Sequence, residues 1–178
     1  MSSEIVLPET KPETEWIGDR AVQKVSPTYS HARLQSLFAI ALTAWGEEGR
    51  GRVGTEWRFR VTPPGVATRP LVPDVAYVAY VALAADAEPD AFEVPQIAPT
   101  VAVEILSPDD RPADVAEKTR TYLAAGSSLV VVVDPHDQIV DLFDASGMRR
   151  LGRGETLAHD ALPGFALDLT ALFDRARR

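Results

Sequence analysis

The sequence predicts a single α/β (α+β) domain in which a mixed β-sheet is flanked by helices. A segment from about 28 to 46 carries apolar residues at helical spacing, which is typical of an amphipathic helix packed on a core. Residues 101–106 are apolar on both alternating faces except at Glu104, as expected of a central strand covered on both sides. A helix at about 113–125 follows, and the apolar run 129–134 comes next. This order of elements indicates a mixed sheet with helices packed against it.

The other segments predict short strands joined by turns. In chain order they are a hairpin (14–25), a half-buried alternating strand (53–61), a strand containing Asp74 (72–81), a hairpin (138–151) and a short C-terminal helix. Gly18-Asp19 supplies the turn of the first hairpin. Gly126 stands just after the helix at 113–125, where a glycine ends a helix without steric strain.

Length and composition indicate one globular domain. The chain has 178 residues, of which 46% are hydrophobic and 25% charged, so it can bury a sizeable core. Residues 1–13 are polar and proline-bearing and predict a disordered leader, with a single domain at 14–178. The sequence contains no cysteine, which excludes disulfides, thiolate zinc sites and cysteine nucleophiles.

Charge and hydropathy narrow the class of partner. No segment approaches the roughly 18 to 20 continuous apolar residues of a membrane span, and the N-terminus lacks the apolar core of a secretory signal. We therefore expect a cytoplasmic protein with no membrane partner. The net charge of −8 argues against nonspecific coating of nucleic acid, which relies on basic surface, but it leaves room for a local groove.

Three ionisable residues occur at positions where the sequence pattern predicts buried apolar residues. Asp74 interrupts an apolar strand, Glu104 lies within the central strand, and Lys118 shares its helix face with residues expected to pack on the sheet, Tyr122 among them. Burying an isolated charge is costly unless a counter-ion, a metal or hydrogen bonds offset it. Asp74 taken alone suits a turn or strand end, and Glu104 with Lys118 suits a buried ion pair without catalysis.

The three together suit phosphodiester hydrolysis. A divalent cation held by a few carboxylate oxygens offsets phosphate charge and activates water, while a nearby lysine steadies the water and the developing charge. A Pro-Asp, then a glutamate on an apolar strand, then a lysine is the pattern of the PD-(D/E)-x-K nuclease superfamily. The ordinary lysine position, two residues after Glu104, is occupied by Leu106.

Further segments resemble a family in which the lysine has moved. The chain resembles the Uma-type restriction endonuclease family of bacteria, formerly a domain of unknown function, whose lysine lies on the helix after the glutamate strand, as Lys118 does. The matching segments are Trp16 to Pro27, His31 to Gln35, Arg69 to Val75, Val103 to Pro108, Asp114 to Gly126, Val133 to Pro135, and 162–173.

This resemblance implies a restriction-endonuclease-like core and a DNA endonuclease that uses Mg²⁺ (or Mn²⁺). It implies Asp74 and Glu104 as metal ligands and as catalytic residues together with Lys118. His31 stands where the family pattern also has a histidine, so it is a further catalytic candidate that contacts the phosphate or a metal-bound water. A lone helix histidine is more often simply hydrogen-bonded. A homodimer suits an enzyme that cuts both strands of a duplex.

Three residues are candidates for a supporting role around this site. Asp114 suits a helix cap best, with partnership to Lys118 or a place behind the ligands as alternatives. Glu56 is a further acidic candidate, although an ion pair with Arg58 or Arg60 is the preferred interpretation. Tyr122 lies one helical turn after Lys118 on the same face.

Two other functions remain open. One is a protein that keeps this fold and binds nucleic acid or a protein partner without useful cleavage. The other is a small enzyme acting on a nucleotide or sugar phosphate, but no Gly-rich phosphate loop follows a strand here.

Overall fold

The computed structural model describes residues 3–46 and 49–178, and its centre is a six-stranded mixed sheet. The helices are α1 (Tyr29–Gly46), α2 (Pro89–Glu93), α3 (Pro112–Ala124) and α4 (Leu169–Ala176). The strands are β1 (Thr14–Ile17), β2 (Arg20–Gln23), β3 (Gly51–Thr55), β4 (Phe59–Val61), β5 (Arg69–Leu71), β6 (Val75–Ala79), β7 (Val101–Ile105), β8 (Leu129–Asp134), β9 (Ile139–Asp144), β10 (Gly147–Leu151), β11 (Thr156–Leu157) and β12 (Leu167–Asp168).

The order of strands in the main sheet is β10-β9-β8-β7-β6-β3. β7 and β8 run parallel and are joined by α3, whereas the other neighbouring pairs are antiparallel. Three two-stranded ribbons, β1–β2, β4–β5 and β11–β12, lie beside this sheet. The mixed sheet flanked by helices is the fold class that the sequence predicts.

The central strands are apolar on both faces because both faces are covered. Val75, Val103 and their neighbours pack against the apolar sides of α1 and α4. The alternate residues, such as Ala76 and Ala102, pack with Tyr122 of α3 and with the β4–β5 ribbon. β7 is buried along its whole length, so Glu104 has apolar surroundings as expected.

The predicted strand at 53–61 is wrong as a single strand. β3 pairs with β6 in the main sheet, whereas β4 pairs with β5 in a separate ribbon. The chain changes direction at Glu56, whose φ of 48° lies in the left-handed region that a residue with a side chain seldom adopts. Asp74 likewise lies just before β6 rather than within a strand from 72 to 81.

The expected leader at 1–13 has contacts where it is described. The N–H of Ile5 donates to the carbonyl of Thr68 over 2.8 Å, and Glu4 forms an isolated parallel bridge with Thr68. Met1 and Ser2 lie outside the described residues. The disordered leader and the domain boundary at residue 14 therefore stay predictions.

None of the helices in the described ranges is long and apolar enough to cross a bilayer.

Replacement of Gly51 tests the close approach of β3 to β6. A Cβ at this position would lie 2.5 Å from Cε2 of Tyr77 and closer still to the carbonyl oxygen of Val78. We expect Gly51→Ala to lower the free energy of unfolding by about 2 kcal/mol or more, because the backbone must shift. Urea denaturation measures this change.

Gly152→Ala is the matched control, because the atom nearest to its added Cβ is Oε2 of Glu155 at 4.0 Å. Its expected change is within about 0.5 kcal/mol. Equal effects of the two substitutions would contradict the described packing of β3.

Candidate active site

The antiparallel register of β6 and β7 brings Asp74 and Glu104 together. Val75 pairs with Val103, so the residues one step further along, Asp74 and Glu104, stand opposite each other at the end of the ladder. The N–H of Ile105 donates to Oδ2 of Asp74 over 2.7 Å and fixes that carboxylate beside β7. Both acids are buried, with 2% and 7% of their surface exposed.

Helix α3 positions Lys118 and Tyr122 against Glu104. Nζ of Lys118 donates to Oε2 of Glu104 over 2.8 Å, and the Tyr122 hydroxyl donates to Oε1 over 3.1 Å. The two residues are four apart, so one helix face contacts both oxygens of the acid. The structure thus brings the two predicted acids and the lysine to one place, with the lysine on the helix rather than on the strand.

Two residues of this cluster were missed in the sequence. Oε1 of Glu15, in β1, is 2.9 Å from Nζ of Lys118 and accepts a 2.7 Å hydrogen bond from the N–H of Val72. Lys24, just after β2, donates to Oδ1 of Asp74 over 2.7 Å. Two features of the sequence could have pointed to them. Glu15 lies on the same face of its strand as buried Ile17, and Lys24 is one of only three lysines in the chain.

His31 contacts Asp74 from helix α1. Its Nε2 is 3.2 Å from Oδ2 of Asp74, and because a carboxylate accepts, Nε2 carries the proton. Nδ1 is buried and has no hydrogen-bond partner among the described residues. His31 therefore contacts the acid pair through Asp74.

Glu56 contacts the cluster, and its preferred pairing with Arg58 or Arg60 was wrong. Its Oε2 accepts from Nζ of Lys24 over 2.8 Å, and its Oε1 accepts from Nε2 of Gln35 over the same distance. The two arginines instead pair with glutamates near the start of the chain. Glu56 lies in the turn between β3 and β4, and its left-handed backbone is a feature that alternation of residue types does not reveal.

Asp114 is not a helix cap, which corrects its preferred interpretation. The N-cap position of α3 is Arg111, which makes no side-chain cap bond. Both oxygens of Asp114 accept from one guanidinium nitrogen of Arg20, over 2.7 and 2.6 Å. This ion pair ties the β1–β2 hairpin to the first turn of α3.

Burial and charge set the ionisation of the two acids differently. Burial raises the pKa of Glu104 to about 7, a rise that the neighbouring ammonium of Lys118 limits. Burial also opposes ionisation of Asp74, but the hydrogen bond from His31 and the charge of Lys24 hold the pKa of Asp74 well below its usual range. The two carboxyl groups therefore differ in proton affinity although they lie side by side.

The two lysines stay charged. Burial disfavours both ammonium groups, yet the carboxylate of Asp74 raises the pKa of Lys24, and that of Glu104 raises the pKa of Lys118. For His31, burial opposes protonation, but the hydrogen bond to Asp74, together with the negative charges of Asp74 and Glu56, raises the pKa. At neutral pH the lysines are hydrogen-bond donors and counter-ions, not bases.

The cluster lines a cleft of about 570 Å³. The predicted residues on its wall are Asp74, Glu104, Lys118, His31, Glu56 and Asp114, and the same wall includes Glu15, Lys24 and Gln35. Tyr122 is not on this wall; it is fully buried behind Glu104.

A divalent cation fits the chemistry of this donor set. Four carboxylates, those of Glu15, Glu56, Asp74 and Glu104, face two ammonium groups, so two negative charges are left when all four are ionised and His31 is neutral. Carboxylate oxygens are the ligands that Mg²⁺ prefers. Within the described residues 3–46 and 49–178, no three His, Cys, Asp or Glu side chains are already arranged to hold a metal ion. The ammonium groups lie between the acids and pair with them instead.

The chain matches one protein family and shares its fold with a solved structure. The family model described as "Uma2: Putative restriction endonuclease" matches residues 5–170. The crystal structure of "a putative nuclease belonging to DUF820 from Anabaena variabilis ATCC 29413" is 23% identical in sequence. It covers 96% of this chain and 94% of its own, with a TM-score of 0.84. This similarity confirms the fold class predicted from the sequence.

A second solved structure is more distant. The DrdV–DNA complex is 18% identical and covers 83% of this chain but 12% of its own, with a TM-score of 0.47. No curated protein matches the chain.

The raised pKa of Glu104 predicts a pH-dependent loss of stability. The pKa of the glutamate is 4.5 in the unfolded chain and about 7 in the folded protein, so ionisation progressively destabilises the folded protein as the pH rises between these values. Glu104→Gln mimics the protonated acid. We expect wild-type stability, relative to this variant, to fall by about 3 kcal/mol from pH 4.5 to 7.5.

Urea denaturation in the presence of a chelator, at several pH values, measures this difference. Glu117→Gln is the matched control, since Glu117 lies on α3 and pairs with exposed Arg120. A constant difference between wild type and Glu104→Gln across this range would contradict the described burial of Glu104.

Proposed function

The chain belongs to the family described as "Uma2: Putative restriction endonuclease", and from this premise we propose that it is a metal-dependent endonuclease that hydrolyses phosphodiester bonds of DNA. One observation carries the proposal: Asp74, Glu104 and Lys118 converge on a single cleft. The fold alone would not support it, because one fold hosts many functions. Nuclease activity is the class that the family description gives.

Asp74 and Glu104 are the proposed ligands of Mg²⁺ or Mn²⁺. When bound, the cation neutralises phosphate charge and lowers the pKa of water. Asp74 is already ionised, whereas Glu104 must lose its proton, so cation binding is expected to strengthen as the pH rises through about 7. Glu15 is the nearest further acid, held beside Lys118.

Lys118 has an electrostatic role in this proposal. Its raised pKa keeps the amine protonated, so it donates hydrogen bonds to the attacking water or to a phosphate oxygen and does not remove a proton. Tyr122 fixes the orientation of Glu104 by donating to its other oxygen. His31 is a positioning residue, since it holds the aspartate from the side opposite Lys24 through Oδ2.

DNA is the proposed substrate because phosphate is the group that this combination of acids and ammonium groups suits. Arg111 and Ser107 line the same cleft and add donors for phosphate oxygens. A homodimer and a cytoplasmic location stay predictions.

A second candidate function is a protein of this fold that binds nucleic acid or another protein without cleavage. The observation that favours it is that both carboxylates of the pair already have ammonium partners. Metal-dependent cleavage distinguishes the two, because an inactive binder cuts no DNA whether or not a cation is bound.

Nicking of supercoiled plasmid DNA tests the proposed activity. We expect cleavage that requires Mg²⁺ or Mn²⁺ and that falls at least about 100-fold in Asp74→Asn, in Glu104→Gln and in Lys118→Met. The first two changes remove a ligand of the cation, and the third removes a positive charge that stabilises the transition state. Thermal unfolding of each variant checks that it is folded.

Asp137→Asn is the matched control, since Asp137 is an exposed carboxylate in a turn away from the cleft. Metal-independent cleavage, or equal rates in Asp74→Asn and Asp137→Asn, would count against this site. Saturable binding of Mn²⁺ without cleavage of any DNA would favour the second function.

A further inference from the structure

The ammonium of Lys24 lies in a cage of three oxygens. It donates to Oδ1 of Asp74 over 2.7 Å, to Oε2 of Glu56 over 2.8 Å and to the carbonyl of Val72 over 3.1 Å. Two carboxylates and a carbonyl are also a donor set for a hard divalent cation. The same oxygens cannot hold an ammonium and a metal ion at once.

The cage is held together by contacts other than those of Lys24. Nε2 of Gln35 bridges Oε1 of Glu56 and the carbonyl of Asp74, over 2.8 and 2.9 Å. The N–H of Glu56 donates to that same carbonyl over 3.2 Å. The N–H of Ile105 holds Oδ2 of Asp74 in addition, so both carboxylates have contacts that are independent of the ammonium between them.

Lys24 differs from Lys118 in how firmly it is fixed. Lys118 belongs to the regular helix α3 and is enclosed by two glutamates. Lys24 follows the last residue of β2, and its side chain is 13% exposed on the cleft wall. A long flexible side chain in this place can turn into the cleft without moving the sheet.

We propose that the ammonium of Lys24 is a counter-ion that occupies the cation seat, the position between these three oxygens. It is displaced when a divalent cation binds there, so that Glu56 joins Asp74 as a ligand. This inference rests on the proposed metal-dependent function. The displaced ammonium stays on the cleft wall, where a substrate phosphate is its natural partner. Metal and phosphate binding then strengthen each other, because each favours the displaced lysine.

Chemical labelling of the wild-type protein tests the displacement directly. The chain has three lysines, Lys11, Lys24 and Lys118, so acetylation by an N-hydroxysuccinimide ester resolves each by mass spectrometry. We expect saturating Mn²⁺ to raise the labelling rate of Lys24 severalfold and to leave that of exposed Lys11 unchanged. An unchanged or lower rate at Lys24 under saturation overturns the proposal.

A titration of Mn²⁺, followed by the electron paramagnetic resonance of the free ion, gives a second test. We expect Lys24→Met to tighten binding by about tenfold or more, because a positive charge is removed from the seat. Lys11→Met, which removes the same charge from the same cleft wall, is the control and should change binding less than about twofold. Equal or weaker binding by Lys24→Met overturns the proposal.

These results separate this inference from the function on which it rests. If the wild type binds Mn²⁺ and Asp74→Asn abolishes binding, but Lys24 gains no reactivity, the metal site stands and the displacement falls. If the wild type binds no Mn²⁺, both fall.

Discussion

Two buried carboxylates at the end of adjacent strands, Asp74 and Glu104, need positive charge within hydrogen-bonding distance, and this need organises the elements around them. An ionised acid in an apolar sheet is stable only when counter-ions and hydrogen bonds offset its desolvation. Helix α3 supplies Lys118, the segment after β2 supplies Lys24, and α1 supplies His31. The packing of these elements on the sheet is therefore tied to the charge of the cleft.

The sequence predicted those parts of the fold and site that local pattern determines. Helical spacing identified α1 and α3, and an acid within the apolar strand β7 identified Glu104. The family pattern pointed to Asp74 and Lys118. The antiparallel register of β6 and β7 explains why Asp74 meets Glu104, and the position of Lys118 on α3 explains its contact with Glu104. The alternation of residue types is not interrupted at Glu56, so nothing in the local sequence indicated the turn between β3 and β4.

The parts that escaped prediction depend on contacts between distant segments. Glu15 and Lys118 are 103 residues apart, and Arg20 and Asp114 are 94 apart, so neither pairing follows from spacing. Short strands such as β1 carry too few residues for one charged side chain to stand out. The ion pairs of Arg58 and Arg60 with glutamates likewise depend on which loops are neighbours in the fold. The composition of the chain does not determine this.

The β1–β2 hairpin and the residue that follows it contribute charges of both signs to the cleft, from Glu15, Arg20 and Lys24. A shift of the hairpin as a unit therefore changes distances within the cleft but leaves the net charge of the residues that line the cleft unchanged. The ion pair in which one guanidinium nitrogen of Arg20 donates to both oxygens of Asp114 is the contact that such a shift must strain or break. Loosening this ion pair can therefore widen the opening while its two opposite charges both stay at the cleft.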